Sequence, residues 1–432
     1  EEYGRIVGGI DDYTVPLMDM FFFAYDKVEE GYVDLDEEDQ TDLDDLYDQL
    51  SDAQAQLLGE HYTRMLISLD LPEEGEETFA SLAQLYEETK MAPSDLQLSA
   101  IDGISFRGED GEIIETPDRE PLALDRIPFY YKDIPPEQME HRIVYYESSR
   151  GCPFSCAYCL SSVEKGLRFR SLSKVLEELD YFLEQKVPQV KFIDRTFNCK
   201  KSHAMAIWNH ILEKDRGITN FHFEIAADLL DGEELELLKQ MRPGLVQLEI
   251  GVQSTNPETL KAIHRPTDLG KIRYTTARIN EGKNIHQHLD LIAGLPFEDF
   301  ASFQNSFNQV YAMRPEQLQL GFLKVLNGSP MEAMANEYGI VSSPNPPYEV
   351  LFTPWLSYKE VLALKGVEEM VEVHYNSRQF VTAMSLMERE FASPYEMFEA
   401  LARYYEREGL DRLSHSRMAR FEILWNFISG LG

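Results

Sequence analysis

Three cysteines lie close together in the run from Arg150 to Cys159, with the spacing C-x3-C-x2-C. Cys152, Cys156 and Cys159 can hold three corners of a cubane iron–sulfur cluster, because thiolates are the usual iron ligands there. The fourth iron would then have no protein ligand, so a substrate or cofactor could bind to it. The spacing therefore indicates an iron site that does more than transfer electrons.

A zinc site is the alternative interpretation of these residues. Short cysteine spacings also bind zinc, with a fourth Cys or His completing the tetrahedron. Cys199 is the only other cysteine and lies forty residues beyond Cys159, so a four-cysteine site stays open. Zinc modules usually come as two short pairs, which favours the open cluster. Because there are so few cysteines, we expect reduced metal ligands rather than a disulfide scaffold.

Composition excludes several classes of function. The chain has 432 residues and a net charge of −36, which disfavours sequence-independent nucleic-acid binding. Residues 1–100 carry 27 acidic and four basic residues, so much of this charge is N-terminal. We find no apolar run long enough for a membrane span and no signal-peptide pattern, and we predict a cytoplasmic protein.

Spacing and composition divide the chain into four regions. Residues 1–74 form an acidic, partly helical lead segment, with a long amphipathic helix expected from Thr41 to about Leu69. Residues 75–141 should contain a helix, a β-hairpin and a proline-rich linker. Residues 142–345 alternate between buried strands and helices. Residues 346–432 have helical spacing from Leu362 to Val371, Tyr395 to Glu406 and Met418 to Ile428. The last region is expected to be a small helical domain covering the open side of the preceding one.

The alternating region predicts an α/β fold. Strict alternation of strands with helices implies a parallel sheet with right-handed crossovers, curled here into a partial (β/α)6 TIM-like barrel. The six predicted strands are 143–147, 189–193, 221–226, 245–252, 285–293 and 317–325. Chemistry in parallel barrels lies at the C-terminal strand ends, and the cysteine loop directly follows the first strand.

Polar side chains also follow or end the other strands, where they would converge on one rim of the barrel. His286 and His288 alternate on the fifth strand, so both can face the interior and move protons as candidate catalytic residues, although hydrogen-bonded core histidines are the alternative. The polar residues at the strand ends are Asp194, Arg195, Thr196, Glu224, Gln253, Ser254 and Asp290.

The cysteine motif, with Tyr158 before its last cysteine, resembles the signature of the radical S-adenosylmethionine (SAM) superfamily, and the resemblance covers residues 142–330. Gly251-Val-Gln-Ser, Arg265 and the run from Asp290 to Pro296 are similar to motifs of coproporphyrinogen-oxidising members. The resemblance implies an oxygen-sensitive enzyme that uses a [4Fe–4S] cluster to cleave SAM reductively to methionine and a 5′-deoxyadenosyl radical. It also implies a low-potential electron donor of the flavodoxin or ferredoxin type.

By this resemblance, Glu224, Gln253, Arg265 and Asp290 would hold SAM. Arg265 can clamp the methionine carboxylate, and Gly294 lets backbone approach the ligand. The second-strand motif departs from the family, because Phe192-Ile-Asp-Arg-Thr-Phe-Asn replaces its glycine-rich turn. The complete expected SAM set is Tyr158, Asp194, Arg195, Thr196, Glu224, Gln253, Ser254, Arg265, Asp290 and Gly294.

Residues 75–432 further resemble an uncharacterised branch of this superfamily that usually carries an N-terminal cobalamin-binding domain. The motifs are Tyr145-Tyr-Glu-Ser-Ser-Arg-Gly-Cys, His286-Gln-His-Leu-Asp and Pro354-Trp-Leu-Ser-Tyr. No Asp-x-His-x-x-Gly motif occurs, and residues 1–74 lack the pattern of a doubly wound domain. We therefore expect a radical SAM enzyme of unspecified substrate, with a cobalamin-dependent methyltransferase as one alternative and a non-catalytic four-cysteine scaffold as another.

Overall fold

The structure, a computed structural model, describes residues 75–90, 92–140, 142–163, 166–411 and 413–430. The predicted helix from Thr41 and the rest of the lead segment lie outside these residues. The described residues form two compact units, which divide between Ile127 and Pro128. No helix in this part of the chain is long and apolar enough to cross a membrane.

The first unit contains the predicted helix and hairpin. Helices α1 (Gly75–Glu88) and α2 (Asp95–Leu98) precede strands β1 (Ser105–Arg107) and β2 (Ile113–Glu115). The two strands pair antiparallel, with Phe106 opposite Ile114. The small core of this unit consists of Tyr86, Leu98, Ile101, Ile104 and Phe106.

The second unit alternates strands and helices as the sequence predicts. Its strands are β3 (Ile143–Tyr146), β4 (Ser149–Arg150), β5 (Arg168–Phe169), β6 (Gln189–Phe192), β7 (Asn220–Ile225), β8 (Val246–Gln253), β9 (His286–Ala293), β10 (Gln317–Phe322), β11 (Val341–Ser342) and β12 (Val350–Phe352). Its helices are α3 (Leu172–Glu184), α4 (Lys201–Lys214), α5 (Gly232–Leu238), α6 (Pro257–Ala262), α7 (Leu269–Gly282), α8 (Phe300–Tyr311), α9 (Pro330–Tyr338), α10 (Tyr358–Met370), α11 (Val381–Met387), α12 (Pro394–Arg407) and α13 (Arg417–Ser429).

Six strands form one parallel sheet in the order β10-β9-β8-β7-β6-β3. Consecutive strands lie side by side because the intervening helices provide the crossovers that parallel pairing requires. The sheet keeps two edges, β3 and β10, so the barrel is partial. The predicted fold class is confirmed.

The side chains of this sheet divide by face. Most residues that point outward are apolar and lie in the main core against the helices, as Phe223, Leu248 and Leu291 do, each without exposed surface. The residues between them are polar. One inward row crosses four neighbouring strands in register and consists of Glu224, Glu249, His288 and Gln317. We call these four residues the inner row.

The helical C-terminal region closes the β10 edge of the sheet. Helix α10 continues as a π-helix from Val371 to Asn376, which brings Asn376 beside β10. The Asn376 side chain accepts a hydrogen bond from the Leu318 N–H at 2.9 Å and donates one to the Leu318 carbonyl at 3.0 Å. An amide side chain thus takes the place of a seventh strand at this position.

We predict that Asn376→Ala weakens this edge, because Leu318 is buried and its two backbone groups would lose their partners. Each unsatisfied buried group costs about 1–3 kcal/mol. Urea unfolding and hydrogen exchange at the Leu318 amide measure the effect. Asn209→Ala, which removes an exposed asparagine bonded to the Met205 carbonyl, is the control and should change little. An unchanged exchange rate at Leu318 in Asn376→Ala would contradict this account.

Candidate active site

The three cysteines of the predicted cluster lie together at the C-terminal end of the sheet. Cys156 is buried, and Cys152 and Cys159 are partly exposed. All three face one cavity, and none forms a disulfide. The cavity is lined by Cys152, Phe154, Cys156, Tyr158, Cys159, Ser162, Arg195, Thr196, Glu224, Ile225, Ala226, Glu249, Gly251, Gln253, Arg265 and Asp290.

Backbone hydrogen bonds fix the middle of the cysteine loop. The Ala157 N–H donates to the Ile263 carbonyl at the end of α6, and the Ala157 carbonyl accepts from the Met331 N–H in the first turn of α9. Helix ends have backbone groups without intrahelical partners, and Ala157 satisfies one at each helix. Its side chain is fully buried in a small apolar cluster with Leu260. The loop is therefore held between two helices.

The entry of the loop requires glycine. Gly151 has φ +90°, and a Cβ built on it would lie 2.6 Å from the Gly166 carbonyl oxygen. Neither the dihedral nor the spacing admits a side chain. Beside it, the Arg150 guanidinium pairs with Glu147 at 2.7 Å.

Asp194 is hydrogen-bonded to the two serines that precede the cysteine loop. Its fully buried carboxylate accepts hydrogen bonds from the Ser148 N–H at 2.9 Å and from the Ser148 and Ser149 hydroxyls at 2.6 Å each. Burial raises the pKa of Asp194 to about 6, although the three bonds oppose the rise. Asp194 was expected among the SAM residues, but the structure does not bring it to the cavity. It joins the end of β6 to the residues that begin the cysteine loop.

Arg265 connects the cysteine loop to β8. Its Nη1 lies 3.5 Å from Cys156 Sγ and 3.1 Å from the Tyr158 hydroxyl, and its Nη2 donates to the Gly251 carbonyl. The Arg265 Nε is buried and has no hydrogen-bond partner among the described residues.

A second buried polar atom at the cavity also has no partner. Gln253 Oε1 makes no hydrogen bond within the described part of the chain, and Gln253 has φ +70°. A Cβ on Gly251 would lie 2.3 Å from Gln253 Nε2 and 3.1 Å from Arg265 Nη2. Buried polar groups are normally hydrogen-bonded. The unpaired donor of Arg265 and acceptor of Gln253 therefore fit a polar ligand such as SAM, and the converging thiols fit a cluster.

Deeper in the barrel, Glu249 lies at the centre of a charged group. Its Oε2 is 3.3 Å from Lys191 Nζ and 2.9 Å from His222 Nε2. The contact with His222 is the largest influence on Glu249 and, together with Lys191, lowers its pKa to about 2 against the opposing effect of burial. Burial and then the charge of Glu249 raise the pKa of Glu224, its in-register neighbour, to about 7.

His288 and Asp290 form a second polar pair. His288 Nε2 lies 3.0 Å from Asp290 Oδ1. Burial lowers the pKa of His288, but the contact with Asp290 outweighs it, so the net direction is upward. Glu249, His288 and Asp290 each offer one atom within 4.8 Å of the others, which is a spacing that a metal ion could use. His286 does not line the cavity, and burial lowers its pKa.

The structure gathers most of the expected site residues but not all. Tyr158, Arg195, Thr196, Glu224, Gln253, Arg265 and Asp290 line the cavity with the three cysteines. Ser254 points away and donates to the buried Glu298 at 2.7 Å. A Cβ on Gly294 would lie 2.7 Å from Val350 Cγ1, so this glycine serves packing. Cys199 does not line the cavity, and burial raises its pKa to about 11.

Three residues near the site were absent from the sequence-based set: Lys191, His222 and Glu249. Each occupies an inward position of a strand whose neighbouring residues are buried and apolar. Period-two alternation within the predicted strands was the available signal, since a polar residue between apolar ones must face the other side of the sheet. Three polar or aromatic residues near the C-terminus lie away from the cavity. His374 is buried against Tyr405, the Tyr375 hydroxyl donates to the Pro315 carbonyl, and Trp355 packs on Phe297.

A parallel six-stranded sheet with a three-cysteine loop after its first strand defines the class of this protein. Residues 146–310 match the family model of the radical SAM superfamily. This part of the chain therefore carries a radical SAM domain, as the motifs predicted, and the match implies a [4Fe–4S] cluster and SAM as cofactors. Residues 336–431 match a second family, described as a protein of unknown function (DUF4080).

Sequence relatives include "Uncharacterized methyltransferase PH0819" of Pyrococcus horikoshii, 29% identical over 44% of this chain and 41% of the relative. Another is "Cobalamin-dependent radical SAM methyltransferase TokK" of Streptomyces tokunonensis, 27% identical over 47% of this chain and 31% of the relative. The chain spans less than half the length of these relatives. Among solved structures, the cobalamin-dependent enzyme OxsB superposes with a TM-score of 0.55 at 15% identity, covering 83% of this chain and 62% of OxsB, which supports the fold.

We predict that Gly151→Ala loses most of its capacity to retain iron after anaerobic reconstitution. The added methyl group meets the Gly166 carbonyl and forces an unfavourable dihedral, which costs on the order of 1–3 kcal/mol and displaces the loop beside Cys152. Iron content per chain is the measurement. Gly166→Ala is the matched control, because a Cβ there meets nothing within 4 Å. Equal iron in both variants would show that the loop entry is not constrained as described.

Proposed function

We propose that this chain cleaves SAM reductively with a [4Fe–4S] cluster held by Cys152, Cys156 and Cys159, and that the product radical acts on a substrate in the barrel. The observation that carries the proposal is the convergence of these thiols, Arg265 and Gln253 on one cavity. When bound, the cluster and SAM supply the electron transfer and radical chemistry that side chains cannot provide. A low-potential donor of the flavodoxin or ferredoxin type would provide the electron.

In this proposal the residues of β8 and β9 orient SAM. The unpaired Nε of Arg265 would bind the methionine carboxylate, and Arg265 is held for this by Gly251 and Tyr158. Gln253 Oε1 and the Asp290 carboxylate would accept hydrogen bonds from the ligand. Asp290 lies on the same side of the site as Arg265, since Asp290 is opposite Gly251 in the sheet and Arg265 is bonded to Gly251. Arg195, Thr196 and Glu224 complete the wall.

Methyl transfer with cobalamin is the second candidate. A sequence relative named as a cobalamin-dependent radical SAM methyltransferase favours it, because it matches 47% of this chain. The test is to purify the protein from cells supplied with cobalamin. The corrinoid absorbance of the purified protein then shows whether cobalamin binds. A methyltransferase of this kind should retain a corrinoid, and protein without one would lack its methyl carrier.

The first test is cleavage of SAM. Reconstituted protein should hold about four irons and, with dithionite, form methionine and 5′-deoxyadenosine. Cys199→Ala should keep both properties because Cys199 lies outside the cavity, whereas Cys152→Ala should lose them. Absence of both products from wild type containing a full cluster would refute the proposed function. Loss of metal from Cys199→Ala would instead favour the four-cysteine scaffold.

The second test concerns Arg265. Arg265→Ala should weaken SAM binding by about 2–5 kcal/mol, the usual cost of breaking a desolvated charge pair. Arg265→Lys should recover part of this, because an ammonium keeps the charge but not the planar geometry. Calorimetric titration of cluster-loaded protein is the measurement. Arg273→Ala, which removes an arginine bonded to Gln309 on the exposed face of α7, is the control. Unchanged affinity in Arg265→Ala would remove this residue from the site.

A further inference from the structure

One oxygen of Glu249 is free to bind a ligand. Both contacts of this carboxylate, with Lys191 and His222, are made by Oε2. Oε1 accepts no hydrogen bond from the described residues, and Glu249 lines the cavity. Its side chain is 20% exposed, so Oε1 can be reached from the lumen.

This oxygen is suited to binding rather than to proton transfer. Glu249 stays ionised at neutral pH because its pKa is about 2, and a carboxylate of such low basicity removes protons poorly. Lys191 on β6 and His222 on β7 fix its position from two directions. A fixed, charged acceptor binds a hydrogen-bond donor without the cost of ordering it first.

The surrounding charges favour a cationic donor. The other groups that face this part of the lumen are Glu224 on β7, His288 and Asp290 on β9, and Arg195 after β6. Lys191 lies 3.3 Å from Glu249 and balances its charge, and His288 lies 3.0 Å from Asp290. Glu224 lies in register with Glu249, and burial and then the charge of Glu249 raise its pKa to about 7, against the opposing charges of Lys191 and Arg195. The two neighbouring carboxyl groups repel each other when both are ionised. A ligand with one positive charge would relieve this.

We infer that Glu249 Oε1 anchors a protonated amine of the substrate, so that the substrate class is an amine-bearing compound. This inference rests on the proposed function, because it takes the cavity as the place where SAM meets the substrate. SAM also carries an ammonium group, but on the same carbon as its carboxylate. Arg265 is hydrogen-bonded to Gly251. Gly251 and Glu249 are two residues apart on β8, so their Cα atoms are about 7 Å apart. The SAM ammonium is therefore expected in the row of Gly251 and Asp290, above the inner row.

The experiment uses n-butylammonium, butyrate and 1-butanol as probes in saturation-transfer NMR with cluster-loaded, EDTA-treated protein and saturating SAM. Only butylammonium should bind wild type. Glu249→Gln should bind it about tenfold or more weakly, the loss expected for a charge-assisted hydrogen bond. Lys191→Gln should bind it more tightly, because Glu249 then lacks its fixed cation. Glu236→Gln, on the exposed face of α5, is the matched control and should behave as wild type.

The remaining outcomes overturn the inference. Equal binding of butyrate or butanol would show that the lumen does not select a cation. If Glu249→Gln binds the amine as tightly as wild type does, Glu249 is not the anchor. If Glu249→Gln does not fold, Lys191→Gln decides instead, and an unchanged affinity in that variant would exclude Glu249. If butylammonium binds without SAM but not with it, Glu249 Oε1 binds the SAM ammonium. If butylammonium binds with Mn²⁺ but not with EDTA, the site is a metal site at Glu249, His288 and Asp290. SAM cleavage, measured separately, decides the proposed function.

Discussion

The division of the sheet into an apolar outer face and a polar inner face is the constraint on which the rest of this structure depends. Packing between the strands and the helices is provided by outward residues such as Phe221, Leu248 and Leu289, none of which has exposed surface. Parallel barrels commonly fill their interior with branched apolar side chains as well. Here the outer face and the helices supply the main core, so the inward positions are left free for Lys191, Glu249 and His288.

The cysteine loop combines a metal-binding sequence with anchoring by distant elements. Ala157 is hydrogen-bonded to α6 and α9, and Asp194 at the end of β6 holds Ser148 and Ser149 at its entry. These contacts limit how far the three thiols can separate before any ligand arrives. A preformed site loses less conformational entropy on binding than a flexible one. The same elements place Arg265 against Cys156.

Electrostatics inside the barrel differ from those of the whole chain. The chain has a net charge of −36, but the groups around the cavity are arranged as opposed pairs, such as Lys191 with Glu249 and His288 with Asp290. Charges taken out of water are tolerated when a partner lies close. Glu224 is the exception, and the rise of its pKa to about 7 is the physical consequence of burial beside Glu249.

The sequence by itself determined the order of strands and helices, the parallel sheet and the loop that carries the cysteines. Those features follow from local periodicity and from short motifs, which one stretch of chain contains completely. It also named most residues of the cavity, because strand ends of a parallel sheet share one edge. Only the tertiary structure decided what each polar residue contacts. Asp194 and Ser254 are strand-end residues like Glu224, yet their side chains bond Ser148 and Glu298 inside the protein. The Glu249 carboxylate contacts Lys191 and His222, which lie on two other strands. These contacts depend on the register of the sheet, and no single segment of sequence specifies that register.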